Sequence, residues 1–317
     1  MPRFAFVALC SLAICTAAHA QPQWPTKPVR IIVPSSPGGG TDTIARLLGA
    51  HFSAALGQQF VIDNRAGAAG LIGYQIAART AGDGYTLLLA PTTITTIPLV
   101  VRNPQYDPLK DFAPISQVVA STQVLVVHPS VPAKSVRDLA ALSKKSADLT
   151  FASPGDGSVP HLAMEHLKML AAMQMTHVPY KGVTPGLTDV IGGRVSAMLV
   201  NVISARAHVD AGKLRALAVS SRKRAEALPA VPTVSEAGYG DYEALQWFGL
   251  FATAGTPPKV LSRLHALTVA ALRDPDTKKR LADEEPIGNT PEEFAKVIRA
   301  EVDKWSKVAK AAKLQPQ

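Results

Sequence analysis

Cysteine is nearly absent: Cys10 and Cys15 are the only two in 317 residues. Both fall in the first twenty positions, expected to be removed, so the mature chain has no disulfide, thiolate nucleophile or cysteine-ligated metal to work with. Aromatics are scarce at 6%, and Lys and Arg are spread along the chain instead of clustering between aromatic side chains, which argues against a nucleic-acid partner. Charged residues are few at 18% against 47% apolar, which excludes disorder as the main state. Downstream of Gln21 no uninterrupted apolar run reaches the ~20 residues a membrane span requires. Two catalytic patterns are missing as well. There is no G-x-S-x-G turn, and His161-Leu-Ala-Met-Glu165-His166 has the wrong spacing for H-E-x-x-H or H-x-x-E-H, so no metal and no cofactor are expected.

What is present begins with Arg3, an apolar run from Phe4 to Ala18 and the small-residue triplet Ala18-His19-Ala20. This is the three-part pattern of a secretory signal, with cleavage expected after Ala20. The alternative, a membrane anchor, is disfavoured by the shortness of the run. Lipidation is disfavoured by Leu9 and Ile14, which stand before the cysteines where a small residue is needed. Removing residues 1–20 leaves 317 − 20 = 297, enough for two domains. The formal charge of +9 becomes +8 without Arg3, which suits a small anionic ligand, although net charge describes attraction at a distance and not a site.

Val29–Val33 is a β-branched run followed by Gly38-Gly39-Gly40 and then by apolar residues Ile44, Leu47, Leu48 and Phe52 at the spacing of one buried helix face. Strand, glycine loop, helix is the recurring unit. Strands are expected at 60–63, 85–90, 124–128, 149–152, 175–178, 195–200 and 215–219, and helices at 71–78, 136–144, 161–171, 184–191 and 203–211. The alternation predicts an α/β protein with parallel sheets covered on both faces. Asn103–Pro114 and Leu228–Gly240 interrupt it. Each precedes a strand-like run, Ile115–Ala120 and Trp247–Ala252, where the chain is expected to cross between two lobes. A helical C-terminal region then closes the first lobe. The expected division is 21–122 plus 247–317 for lobe 1 and 123–246 for lobe 2.

Three loops are candidates for ligand binding. In Gly38-Gly39-Gly40-Thr41-Asp42 the glycines allow a sharp turn with inward N–H groups at a helix start, where the dipole favours an anion. A tight turn with no ligand remains the alternative. It is not a nucleotide fingerprint, since the spacing is wrong for G-x-G-x-x-G and no P-loop lysine follows. A second loop of the same chemistry, Ser153-Pro154-Gly155-Asp156-Gly157-Ser158-Val159-Pro160-His161, lies in the other half. One such loop per half is what a cleft between two α/β lobes needs to grip an anion from both sides. The third loop carries Arg65, whose guanidinium could take a carboxylate or could simply lie on the surface. Thr92 and Thr93 are further hydroxyl donors. Ser158 with His161 is equally open to two readings, a cap with a helix-start donor or a nucleophile with its base.

The ordered residues Trp24–Pro34, Pro37–Asp42, Asp63-Asn64-Arg65, Gly82–Leu88, Tyr106-Asp107-Pro108, Ser153–His161, His177–Gly182, Leu214–Val219, Val231–Val234, Trp247–Leu250 and Thr290–Phe294 resemble the substrate-binding receptors of tripartite tricarboxylate transporters, the Bug or TctC-like periplasmic receptors. The resemblance runs over essentially the whole mature chain. It implies a type II periplasmic-binding fold, two α/β lobes joined by two crossing strands and closing on the ligand like a flytrap. It further implies a small carboxylate held by the loops Gly38–Asp42 and Ser153–His161, with Asn201 on a strand-end loop nearby. The expected partners are small and large permease subunits in the inner membrane, and the expected state is a monomer. Three departures from the family pattern bear on the ligand: Val200 stands where many members carry an aspartate, the segment Pro91–Ile97 lacks the glycine often seen there, and Asp156 puts a negative charge in the second loop. An exported hydrolase using Ser158 and His161, or an orphan receptor signalling to a sensor partner, are the alternatives.

Overall fold

The structure is a computed structural model that describes residues 24–145, 148–240, 242–281, 284–312 and 314, so the expected signal and its cleavage point after Ala20 lie outside the described residues. In chain order the elements are β1 (Val29–Val33), α1 (Gly40–Leu56), β2 (Phe60–Asn64), α2 (Leu71–Ala78), β3 (Thr86–Pro91), α3 (Thr93–Thr96), β4 (Phe112–Ser121), β5 (Gln123–Val127), α4 (Val136–Lys145), β6 (Thr150–Ser153) and α5 (Val159–Ala171). They continue with β7 (Thr176–Pro179), α6 (Val183–Ile191), β8 (Ala197–Asn201), α7 (Val202–Asp210), β9 (Arg215–Val219), β10 (Gln246–Thr253), α8 (Pro258–Arg273), α9 (Pro275–Leu281), β11 (Glu285–Pro286) and α10 (Pro291–Ala311).

The strands form two sheets, ordered β11-β4-β10-β3-β1-β2 and β7-β6-β8-β5-β9. The β-branched run in β1 suits a strand flanked on both sides: it pairs in parallel with β2 at the sheet edge and with β3, and Val29, Ile31, Ile32 and Val33 are all buried, as strands covered on both faces must be. On α1 the expected face, Ile44, Leu47, Leu48 and Phe52, is buried against this sheet.

The sheets are not purely parallel, and this corrects the expectation. β10 runs antiparallel to β3 and β4, and β5 runs antiparallel to β8 and β9. The cause is the crossing between lobes. β4 passes into β5 through the single residue Thr122, too short for a crossover helix, so the chain enters the second sheet against the direction of its βαβ strands. β10 returns beside β4 in the opposite sense.

α10 departs from the simple division of the chain. Phe294 and Ile298 pack in the first sheet's core with Trp247 and Phe251, whereas Trp305 and Val308 pack in the second sheet's core with Leu162, Leu167 and Tyr242. We keep 21–122 plus 247–317 and 123–246 as the proposed lobes, with the last turns of α10 as a strap from the first onto the second.

Candidate functional site: the junction of the two lobes

The first glycine loop joins β1 to α1. Gly39 is the N-cap of α1 in an extended conformation, and no side chain caps the helix, so the first-turn N–H groups have no side-chain acceptor. Gly38, Gly39 and Gly40 are exposed and Thr41 is buried. Asp42 is buried too, and its carboxylate is occupied: it accepts from Gly38 N–H at 2.9 Å, Arg46 Nε at 2.9 Å and Asn64 Nδ2 at 3.0 Å. Burial works to raise this carboxyl, but those hydrogen bonds outweigh it and hold Asp42 below the usual carboxylate range. Asp42 therefore braces the loop and keeps its N–H groups in place.

The second loop joins β6 to α5. Ser158 is an extended N-cap whose side chain does not cap the helix; its Oγ donates to Gly155 O at 2.7 Å. Pro160 has no N–H to offer, and α5 again presents an uncapped start. His161 Nδ1 accepts from Gly157 N at 3.1 Å, so its contact is with the loop backbone and not with Ser158. The nucleophile-and-base reading of Ser158 and His161 thus lacks its defining hydrogen bond.

The second loop is where the lobes meet. Thr96 Oγ1 donates to Gly157 O at 2.5 Å, Gly157 lies against Val100, and a Cβ at Gly155 would sit 3.7 Å from Ala69. Behind the loop three rings stack: His161 on His177 with centroids 3.9 Å apart, and His177 on Phe151 at 4.9 Å. His177 Nε2 lies 2.6 Å from Ser153 Oγ, and its Nδ1 lies 3.4 Å from Asp156 Oδ1. Serine, histidine and aspartate in this order resemble a hydrolase triad. However, Ser153 is fully buried, and its hydroxyl accepts from Gly155 N at 3.1 Å within its own loop, which makes it a brace.

Asp156, His161 and His177 also offer ligand atoms within 4.8 Å of one another, a spacing a metal could use. The rings are nearly parallel, 8° apart, so their in-plane lone pairs lie in separate planes and do not converge on one ion. Burial first, then the charges of His177 and Lys168, push His161 down to about 3. Burial lowers His177 too, with Asp156 pulling it up and Lys168 pushing it down. Both rings are neutral near pH 7.

The remaining candidates lie at the hinge or outside it. Thr92 is tied to the crossing strand: its N donates to Trp247 O at 2.9 Å and its Oγ1 accepts from Trp247 N at 2.8 Å. Thr93 begins the short helix α3, which has no counterpart in the expected elements, and is buried. Asn201 Nδ2 donates to Ser121 Oγ at 2.6 Å, linking β8 to the end of β4. Arg65 is half-exposed and paired to Asp63 at 2.9 Å. Sequence reasoning assigned no site role to His177, Thr96, Val100 or Gln123. For His177 the only available signal was its place in the run His177-Val178-Pro179-Tyr180; the others carry no local mark.

A two-sheet α/β molecule with paired crossing strands and a glycine loop leading into an uncapped helix in each half defines a two-lobed solute-binding protein. Comparison with known proteins identifies its family. The model of the tripartite tricarboxylate transporter family receptor, TctC, matches residues 44–314. The chain belongs to that family of periplasmic receptors. It is similar to the R. palustris protein Rpa4515 solved with adipate, at 36% identity and TM-score 0.87 over 93% of this chain and 100% of that one. It is also similar to the periplasmic binding protein BugD (33%, TM-score 0.85, 93% and 100%) and to MatC from Rhodopseudomonas palustris with bound malate (30%, TM-score 0.83, 90% and 99%).

Proposed function

We propose that the chain captures a small carboxylate in the periplasm and delivers it to a tripartite tricarboxylate-type transporter with a small and a large membrane subunit. The observation that carries this is the pair of uncapped helix starts, α1 behind Gly38–Thr41 and α5 behind Gly155–Ser158, one in each lobe. A carboxylate between them would accept main-chain N–H groups from both sides and favour closure by its differential affinity for the closed form. The adipate and malate bound by Rpa4515 and MatC support the ligand class. The reading needs no cofactor and no reaction, and treats the receptor as a monomer exported by cleavage after Ala20.

The test is thermal unfolding of mature protein, stripped by unfolding and refolding, against a panel of mono-, di- and tricarboxylates and their fully amidated analogues. A ligand at ~100 times its dissociation constant stabilises by about 2.7 kcal/mol, and the rise in midpoint should vanish when every carboxylate is amidated. An unmoved midpoint across the panel, together with ester turnover lost in Ser158→Ala, would replace the receptor reading with the hydrolase.

A further inference from the structure

Gln123 is the first residue of β5, one position beyond the crossing at Thr122. Its backbone is satisfied: its N–H donates to Ser220 Oγ at 3.0 Å and its C=O accepts from Ser220 N at 2.8 Å. Its side chain is not. Gln123 has no exposure at all, and neither Oε1 nor Nε2 has a hydrogen-bond partner. Leaving a buried donor or acceptor unpaired costs about 1–3 kcal/mol per group, so a wholly unpaired buried amide calls for a physical reason.

Its position supplies one. Gln123 is the direct antiparallel partner of Asn201, and the alternation of β5 puts its side chain on the face of Leu125 and Val127, the face covered by α5. The amide thus sits at the lobe junction, on the same face as the second glycine loop's helix. Buried polar side chains elsewhere on the crossing strands and the junction loops include the uncharged Thr92, Thr93, Thr96, Ser121, Ser153 and Ser158, together with His161. Asp42, the buried acid of the first loop, is already saturated by three donors.

Resting on the carboxylate-receptor reading, we infer that Gln123 reads the distal end of the ligand, and that this end is a neutral group carrying both a donor and an acceptor, such as a carboxamide. The chemistry favours this over a second carboxylate. A glutamine amide offers one N–H face and one carbonyl face, and a carboxamide satisfies both at once. A carboxylate would satisfy only the N–H face, would set its charge against Oε1, and would be desolvated with no buried cation among the described residues at the junction to offset it. The preferred ligand class is therefore a monoanion, anchored by its carboxylate at the glycine loops.

Calorimetric titration with three matched series tests this: succinate, glutarate and adipate, the monoamide of each, and butyrate, pentanoate and hexanoate. The monoamide is expected to bind at least ten times more tightly than the dicarboxylate and the plain acid of the same length. In Gln123→Leu the monoamide should fall to the level of the plain acid, whose own affinity stays within about threefold, and the ligand-free melting temperature should not drop. Gln123→Glu should likewise lose the monoamide preference, and it serves if the leucine variant does not fold. Dicarboxylate binding tighter than the monoamide overturns the inference and leaves the receptor reading standing, as does a monoamide preference that survives in both variants. Binding by none of the three series overturns both.

Discussion

Gly157 meets two constraints at once. Its φ of 72° lies in the left-handed region, and a Cβ there would collide with the side chain of Val100 from the other lobe. Alanine at this position should lose about 1 kcal/mol to the backbone conformation and wedge the lobes apart. Gly157→Ala is expected to weaken ligand affinity at least tenfold while the protein still folds, and adding Val100→Ala should recover part of the loss. Titration of both variants with the best ligand of the panel checks this; no recovery would mean that Val100 is not the obstacle. At this scale the sequence was only half legible. A glycine flanked by Asp156 and Ser158 before a helix announces a special turn, whereas Val100, 57 residues upstream, carries no mark that it will lie against it.

Among the elements, α10 contributes side chains to both cores. Its start is plain in the sequence: Thr290 and Glu293 form a capping box, with Thr290 Oγ1 accepting from Glu293 N and Glu293 Oε2 accepting from Thr290 N, and Pro291 follows at the first position. Its inward face is plain too: Phe294, Ile298, Trp305 and Val308 fall at helical spacing, and all four are buried. What they turn toward was not legible, because one continuous apolar stripe serves two cores. Trp305 is fully buried among residues of the second sheet's core, with Nε1 donating to Glu301 Oε2 at 2.6 Å. Trp305→Ala should therefore cost about 3–5 kcal/mol, against about 1 kcal/mol for Thr290→Ala, which disturbs the cap alone. Urea unfolding of the two variants measures the difference, and equal losses would remove Trp305 from the core.

For the molecule as a whole, acid is the condition that exposes its construction. His161, His166 and His177 are all held below the ordinary histidine value of 6.5, in each case by burial first. The unfolded chain gains these protons as pH falls through 6.5, while folded His161 resists down to about 3, so their stabilisation is complete above 6.5 and is lost progressively below it. Asp42, Asp138, Asp189, Glu236 and Asp274 are held below ordinary values of 3.8 to 4.5, and their contribution is lost only in stronger acid. The melting temperature should accordingly fall in two stages on acidification, the first beginning near pH 6.5. His161→Gln should flatten that first stage, and a melting temperature that rises between pH 7 and 5 would contradict the sign.

Taken by itself, the sequence determined most of the elements and both glycine loops, because strand alternation, helical spacing, glycine turns and caps are written between near neighbours in the chain. It also carried enough ordered family motifs to point to the receptor class. Only the tertiary structure decided the mixed sheets, the splitting of α10 between two cores, the stacking of His161 on His177 and the unpaired amide of Gln123. Those follow from cross-strand register and from the meeting of two lobes, which bring together residues as far apart as Thr96 and Gly157, and no local pattern encodes that docking.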